Sequence, residues 1–398
     1  MHAQAEEHAI VHMPWQETPG WLAAALAAAG VGYTLASERV LNAMTPPPPP
    51  AFGAGEAPDV TVLKPLHGLE PELEADLRSF IEQDYPGRFR LRLGLQSAGD
   101  AALPLAQRLA AEHPGRVDVV LDDKGHGANR KVSNLINLAA NAEGDVFVLS
   151  DSDMRVAPDY LRRVVGALSA PGVGAVTCYY AGRAARPTLP ARLAAMGISY
   201  GFLPQVALAV RIDAAKPCMG STIAVTRAVL NEIGGLQAVA DVLADDYEIG
   251  RRVRALGRTV ALPPMVLGHG CDEPRFADLW RHELRWNRTI RGLDPWGYLG
   301  SIITYPLALA LLALALDAPF GAAAATPALG IAAAALAARL WLKRRVDKLV
   351  GARTGPWWLT PARDLLSFAV FLAAAPARRV DWRGARFHVG RDGELSPV

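Results

Sequence analysis

The sequence predicts an α/β domain held between membrane-associated ends, with transmembrane helices on its N-terminal and C-terminal sides. Three observations lead there. Hydrophobic residues make up 51% of the 398 residues and charged residues only 20%, which leans away from an ordinary soluble enzyme. The long apolar runs gather at the two ends of the chain, and a mixed, charged stretch lies between them. Within that stretch short β-rich runs alternate with helical ones, the pattern of βαβ units around a mostly parallel sheet. The length allows two or three structural units and excludes a small disulfide-stapled scaffold. Cys178, Cys218 and Cys271 are an odd number set far apart, which fits a reducing compartment and argues against disulfides or a paired-cysteine metal site. Net charge is +2, from 41 basic and 39 acidic residues, so no overall footprint for nucleic acid exists and nucleic acid is not an expected partner.

Residues 1–44 read as an N-terminal region with a membrane anchor. Trp21 to Ala36 is apolar over about 16 residues, near the lower limit for crossing a ~30 Å hydrocarbon core. No Lys or Arg precedes it, so the positive flank of a secretory signal peptide is missing, and an uncleaved anchor with its N-terminus outside is the expectation. Residues 45–58, TPPPPPAFGAGEAP, form a Pro-rich tether that marks a domain boundary.

Residues 59–295 form the α/β domain. Val60 to Pro65 predicts a strand, Leu73 to Gln83 a helix, Leu91 to Gln96 a strand, and Leu105 to Ala111 the core of a helix. A strand over Val117 to Leu121, a helix over Val132 to Ala142 and a strand entering Val146 to Asp153 follow. Ligands of such sheets bind beyond the carboxyl ends of the strands, which directs attention to the Asp100 loop and to Asp151-Ser152-Asp153.

Residues 296–376 form a C-terminal membrane region. Tyr298 to Leu316 and Phe320 to Leu342 are each long enough to span and read as a helical hairpin. Lys343, Arg344, Arg345, Lys348 and Arg353 follow, and the positive-inside rule places them, and with them the α/β domain, in the cytoplasm. The stretch Trp357 to Ala375 holds Arg363 and Asp364 and is basic on both flanks. An interfacial or re-entrant segment is preferred there over a simple span. Residues 377–398 then form a basic cytoplasmic tail.

The chemistry-bearing residues sit around that domain. Asp151 and Asp153, one residue apart at a strand end, can share a hard divalent cation that neutralises phosphate oxygens; the same triplet also serves as an ordinary turn. In Ala244-Asp245-Asp246-Tyr247-Glu248 a carboxylate can take the proton of an acceptor hydroxyl, or can simply cap the helix that follows. Arg275 to Arg291 forms a basic helix in which Arg281, Arg285 and Arg288 share one stripe and His282 and Trp286 another. A guanidinium suits phosphate oxygens and an indole offers a face for a ring, so Arg285 and Trp286 are read as diphosphate and acceptor residues. The outer arginines read equally well as lying on anionic lipid. His269 and Cys271 could ligate a metal, but too few ligands accompany them and a packed histidine is preferred. Dinucleotide-binding, Walker A and nucleophile-elbow signatures are absent.

Taken in order, Asp100, the acidic triplet at 151–153, ADDYE at 244–248 and HELRW at 282–286 resemble the inverting glycosyltransferases of families 2 and 21, specifically the ceramide glucosyltransferase-like group. KPLHGLEPEL at 64–73, NRKVSNL at 129–135, KPCMGSTIAVTR at 216–227, RDLLSF at 363–368 and WRG at 382–384 extend the resemblance over almost the whole chain. Within the group the chain is most similar to the bacterial hopanoid-biosynthesis members. The resemblance implies a GT-A fold, a UDP-sugar donor, a lipid acceptor and a divalent cation, Mg2+ or Mn2+. It implies that Asp100 contacts the uridine, that Asp151 and Asp153 hold the metal and diphosphate, and that Asp246 is the base, with Asp245 beside it binding substrate. Arg285 and Trp286 fall in the family's (Q/R)xxRW element, where His282 replaces the first residue and Arg281 stands next to it. Lys131 matches a family lysine that reaches the donor, although a solvated lysine at a helix start is an equal reading.

The implied reaction is a single displacement at the anomeric carbon with inversion. The resemblance favours N-acetylglucosamine and bacteriohopanetetrol in a bacterial inner membrane, with glucose transfer to ceramide as the alternative. A processive polysaccharide synthase would need more membrane segments than three or four, and an inactive scaffold would not need every carboxylate retained.

Overall fold

The computed structural model describes residues 18–53 and 55–376, and the backbone alone of 379–382, 385–389 and 395–397. The arginines of the expected tail therefore have no described side chains. In chain order the elements are α1 (Trp21–Ala43), β1 (Val60–Pro65), α2 (Leu73–Ile81), β2 (Phe89–Leu95), α3 (Leu103–Glu112), β3 (Val117–Leu121), α4 (Arg130–Ala139), β4 (Val146–Leu149), β5 (Met154–Arg155), α5 (Tyr160–Leu168), β6 (Val173–Val176) and β7 (Tyr179–Ala184). There follow α6 (Leu189–Gly197), α7 (Leu203–Arg211), β8 (Ile223–Thr226), α8 (Arg227–Glu232), α9 (Asp245–Ala255), β9 (Thr259–Ala261), β10 (Val266–Cys271), α10 (Phe276–Leu293), α11 (Pro295–Gly300), α12 (Pro306–Asp317), α13 (Ala322–Val350) and α14 (Thr360–Ala374). Three short antiparallel strands, Arg379–Trp382, Ala385–Val389 and Leu395–Pro397, lie last.

A seven-stranded sheet in the order β3-β2-β1-β4-β8-β6-β9 forms the centre. Its first four strands are parallel, as the alternating pattern predicts, while β8 runs antiparallel to both β4 and β6. Period two sorts the strand residues. Val60, Val62, Val146 and Val148 enter the core beneath α2, α3 and α5, whereas Leu63, Phe147 and Leu149 join α4, α8 and α9 on the other face. Burying both faces explains why these strands are apolar almost throughout. A second sheet, β5-β10-β7, stands beside the first. This is the GT-A arrangement expected from the motifs.

The membrane ends differ from expectation in three ways. The helix α1 is longer than the predicted 16-residue run, at 23 residues, because Ser37 and Thr34 turn their hydroxyls onto Tyr33 and Gly30 carbonyls and let the helix continue. It packs along α12 and α13, with Gly30 so close to the Ile303 carbonyl that a Cβ would stand 2.2 Å from it. Among the described residues two helices are long and apolar enough to cross a membrane, Leu189–Arg211 and Ala322–Val350, and α1 is not one of them.

The predicted span Tyr298 to Leu316 is broken. Proline lacks the amide and restricts the residue before it, and Tyr305, at φ −111° and ψ 53°, leaves the helix ahead of Pro306. The flanking segments bend by 72°, so a third span exists only if the bent pair is one crossing. The helix α13 runs on through Lys343, Arg344, Arg345 and Lys348 rather than ending before them. Lys343 is buried, donates to Tyr200 Oη at 3.1 Å and pairs with Asp347 at 2.5 Å.

The segment Leu189–Arg211, read at first as ordinary domain sequence, joins α6 and α7 through a π-turn at Ile198–Phe202. Most of it is buried between β7, α10, α13 and α14. The helix α14 is 15 residues long, and its Arg363 and Asp364 are both buried.

Candidate active site

The carboxyl ends of β1, β2 and β4 open onto a cleft of about 510 Å3. Ser150 leaves β4 and is tied by its hydroxyl to the Ser221 carbonyl at 2.8 Å, which sets the direction of Asp151 and Asp153. Beneath them Lys64, fully buried, donates to the Asp151 carbonyl at 2.6 Å and lies 3.6 Å from the centre of the Phe80 ring. Burial pulls Lys64 down to about 8 despite the surrounding carboxylates.

Asp151 pairs with Lys131 Nζ at 2.7 Å, and Asp245 stands 3.7 Å from the same nitrogen. Burial opposes the charge of Lys131, but Asp151, Asp245 and Asp246 together outweigh it and raise its pKa. Lys131 thus lines the cleft with its ammonium held between carboxylates. Asn129 caps α4 by accepting from Val132 N and donates to Asp245 at 3.3 Å, so one short motif delivers both.

Asp245 and Asp246 open α9, where the exposed amides and the helix dipole favour negative charge. The oxygens of Asp246 accept from Gly220 N at 2.9 Å and Tyr247 N at 2.8 Å. Burial first, and then Asp245, push Asp246 up to about 6. A carboxylate raised toward neutrality without a cationic partner in contact suits a proton acceptor near physiological pH.

Asp153 is raised chiefly by burial. Its Oδ2 lies 3.4 Å from His269 Nε2, while its Oδ1 is buried with no partner among the described residues. Glu70 is a site residue that the sequence reading left unnamed inside KPLHGLEPEL. Ser152 donates to its Oε1 at 3.1 Å, its Oε2 is a second orphan, and burial with Asp153 raises it to about 8. Unsatisfied buried oxygens of this kind cost about 1–3 kcal/mol each, and hard oxygens facing a cleft are what Mg2+-like cations take, through one or two carboxylates plus phosphate. The described residues hold no ready-made cluster of three or more metal ligands. The acidic pair therefore fits a cation shared with a diphosphate and not a closed protein cage.

Gly220 is the second unnamed site residue. A Cβ there would meet Asp151 Oδ2 at 3.0 Å and Lys131 Nζ at 3.1 Å, so KPCMGST places glycine where two acidic elements close on each other.

Asp100 stands beside the cleft and is engaged by its own turn. Its carboxylate accepts from Gly68 N at 3.0 Å and Ala102 N at 2.9 Å, and His67 Nδ1 lies 3.4 Å away. His67 lines the cleft and Asp100 does not. Asp100 braces the turn that presents His67, since both its oxygens accept from backbone amides of that turn and its own.

The opposite wall is aromatic. Tyr180 packs on Phe202 at 4.9 Å and stacks on His269 at 5.4 Å, and Trp286 meets His282 edge-on at 4.6 Å. His282 gives Nδ1 to Glu273 at 2.8 Å. Arg281 is exposed and pairs with Asp278 at 2.5 Å, so the residue facing the cleft at the first position of HELRW is His282. Arg285 and Trp286 line the cleft with it. Cys271 is buried beside His269, in keeping with packing rather than ligation.

A smaller chamber of about 150 Å3 lies behind this wall, between α6, α7, α10 and α14. Phe202, His282, Trp286 and Ile290 line both spaces.

Comparison with known proteins follows the same lines. Ceramide glucosyltransferase of Komagataella phaffii is 29% identical over 154 residues, covering 37% of this chain and 29% of that protein. An N-acetylglucosaminyltransferase of Sinorhizobium fredii is 31% identical over 129 residues, covering 32% of this chain and 30% of that protein. The chain thus spans under a third of the length of these curated relatives. A mannosyltransferase from Pyrobaculum calidifontis, solved with GDP-Man and Mn2+, superposes with a TM-score of 0.50 at 23% identity, covering 89% of this chain and 97% of that one, which shows the shared fold. The family model of Glycosyl transferase family 21 matches residues 21–395, and the chain belongs to that family.

Proposed function

We propose that this chain moves a sugar from a UDP-sugar to a hydroxyl of a membrane lipid, with inversion at the anomeric carbon. The observation that carries the proposal is the position of Asp246. It is a half-buried carboxylate, raised by desolvation, in the same cleft as Lys131, Asp151 and Asp153, facing an aromatic wall backed by a chamber among the membrane-side helices.

Asp246 takes the acceptor proton as the new bond forms, and its two backbone hydrogen bonds fix its orientation. Lys131 and Arg285 offer cationic donors to the departing diphosphate, and Asp100 holds His67 at the nucleotide end. Trp286 supplies a face for the acceptor or sugar ring, with His282 set against its edge. Asp151 and Asp153, with Glu70 beside them, would hold a divalent cation, Mg2+ or Mn2+, which would supply charge neutralisation of the diphosphate.

For the substrates, the motif resemblance supports N-acetylglucosamine and bacteriohopanetetrol, in a bacterial inner membrane with the catalytic domain on the cytoplasmic side, and the relative named N-acetylglucosaminyltransferase supports the sugar. The relatives named ceramide glucosyltransferase support UDP-glucose and ceramide as the second reading. A micelle assay crossing both donors with both lipids, with and without divalent metal, tests this. Metal-dependent hexosamine-hopanoid is the expected product. Glucosylceramide would favour the second reading, and UDP binding without any product would turn to other lipid acceptors and then to a catalytically inactive UDP- or lipid-binding scaffold.

A further inference from the structure

The chamber behind Trp286 has its own chemistry. Arg339 faces Asp364 and Arg363 faces Glu283, so the charges on its α13 and α14 walls cancel in pairs. Two lining groups still keep a buried atom without a hydrogen-bond partner among the described residues: Arg363, whose Nε is a donor on a side chain already paired with Glu283, and Glu273, which has no cation paired with it beyond His282. Glu273 is 7% exposed, lines the chamber, and uses one oxygen for His282 Nδ1; its Oε2 is buried and has no hydrogen-bond partner among the described residues.

A carboxylate can only accept, so the group that completes Glu273 must be a hydrogen-bond donor. Two features say what brings it. The chamber shares Trp286 and His282 with the catalytic cleft, which puts its occupant next to the reacting hydroxyl. Its remaining walls come from the π-turn, the Tyr305 bend and α14, the elements that join the domain to the membrane-side helices.

We infer that Glu273 reads the lipid acceptor, accepting a hydrogen bond from a second donor, hydroxyl or amide N–H, that neighbours the hydroxyl to be glycosylated. This rests on the proposed transfer to a lipid and adds to it a rule for which lipids are accepted. A site built around a buried polar group rejects an analogue that leaves the group unpaired, far more strongly than an apolar pocket rejects a missing methylene. Lipids with a lone hydroxyl are poor acceptors, and lipids with vicinal or amide-flanked hydroxyls are good ones.

The test uses the purified full chain in detergent micelles with two probes, a long-chain alkane-1,2-diol and the primary alcohol of the same chain length. The unaltered protein should prefer the diol by at least about tenfold in kcat/KM, the worth of one hydrogen bond to a charged group. Glu273→Ala should bring that ratio to within about twofold, chiefly through the diol's KM, and Glu273→Gln, which keeps an acceptor oxygen, should retain part of it. Equal losses with both alcohols would show that Glu273 acts only by holding His282, and would overturn the inference. Gly201→Leu gives an independent handle, because a Cβ at Gly201, on the chamber wall, meets no atom within 4 Å. Filling the chamber from there should raise KM for the diol by more than it changes UDP affinity; no change in the diol's KM would count against the chamber. If the unaltered protein transfers to neither alcohol, the transfer reading is decided separately by the assay with the hopanoid and ceramide acceptors. Direct calorimetric binding of the diol then decides about Glu273, weaker binding to Glu273→Ala upholding the inference and equal binding overturning it.

Discussion

The cleft and the helical floor behind it both enclose acidic side chains, yet, Glu273 apart, they treat them in opposite ways. On the floor Asp364 receives two hydrogen bonds from Arg339, at 2.6 and 2.8 Å, and Glu283 pairs with Arg363 at 2.6 Å. Arg339 also donates to the Tyr200 carbonyl within the π-turn at 2.8 Å, so one guanidinium locks α13, α14 and the turn that carries Phe202. In the cleft, among the described residues, Glu70 and Asp153 each keep an orphan oxygen, and the hydrogen bonds to Asp246 come from backbone amides. Burial raises all three. Burial of charge does not mark a site; incomplete pairing of buried charge does, because it leaves free energy for a substrate, cation or proton to recover.

Asp246→Asn should break the contrast most severely. It keeps the shape and loses the base, and transfer should fall by about 10²–10⁴-fold with UDP affinity nearly intact, read by turnover beside calorimetric UDP binding. Retained turnover would move the base elsewhere.

On the floor the corresponding injury is to folding. Arg339→Ala strands Asp364 and should cost about 3–5 kcal/mol of stability, seen as a lowered Tm, whereas the paired change Arg339→Met with Asp364→Leu should be close to neutral. A double variant as unstable as the single one would mean that the pair does more than cancel its own burial.

Gly220→Ala sharpens the cleft side. Its methyl must move the Asp151 and Lys131 side chains by a few tenths of an ångström, and a misplacement of this kind should lower kcat by about 10-fold without moving Tm.

The smallest effect is a shift in pH dependence. With Asp246 at about 6, transfer should fall as pH drops through that value. Because the folded value lies above the ordinary one, the stability linked to this group is present below pH 4 and lost as pH rises through about 6. Asp245→Asn removes the second cause of the shift, after burial, and should move the acid limb of kcat/KM to lower pH. An unmoved limb would assign that limb to another group.

The strand and helix pattern was legible over the first half of the domain. Val60–Pro65 and Val117–Leu121 occur as strands at the predicted bounds, because period two and continuous apolarity are local properties. The four parallel strands followed from alternation, but the antiparallel insertion of β8 did not, since strand order depends on contacts between distant segments. Lys131, Asp151, Asp153, Asp245, Asp246, His282, Arg285 and Trp286 do line one cleft. Glu70 and Gly220 stood inside quoted motifs without being named. Their importance is visible only once Asp153 and Asp151 are placed against them. A signal existed for Gly220 in a lone glycine between the strand-forming STIAV and KPCM.

Sequence alone determined the presence of the α/β domain, its acidic and aromatic motifs and its apolar ends. These are set by residue type and spacing along the chain. Only the tertiary structure decided that Arg281 turns away and His282 faces the cleft, that Asp100 braces a turn, that Pro306 bends the predicted span, and that Lys343 is buried within α13 beside Tyr200 and Asp347. Each of these depends on which partner reaches a polar group first once the chain has closed. That competition is settled by distances between elements far apart in sequence, most of all at Glu273, where no described partner reaches the second oxygen.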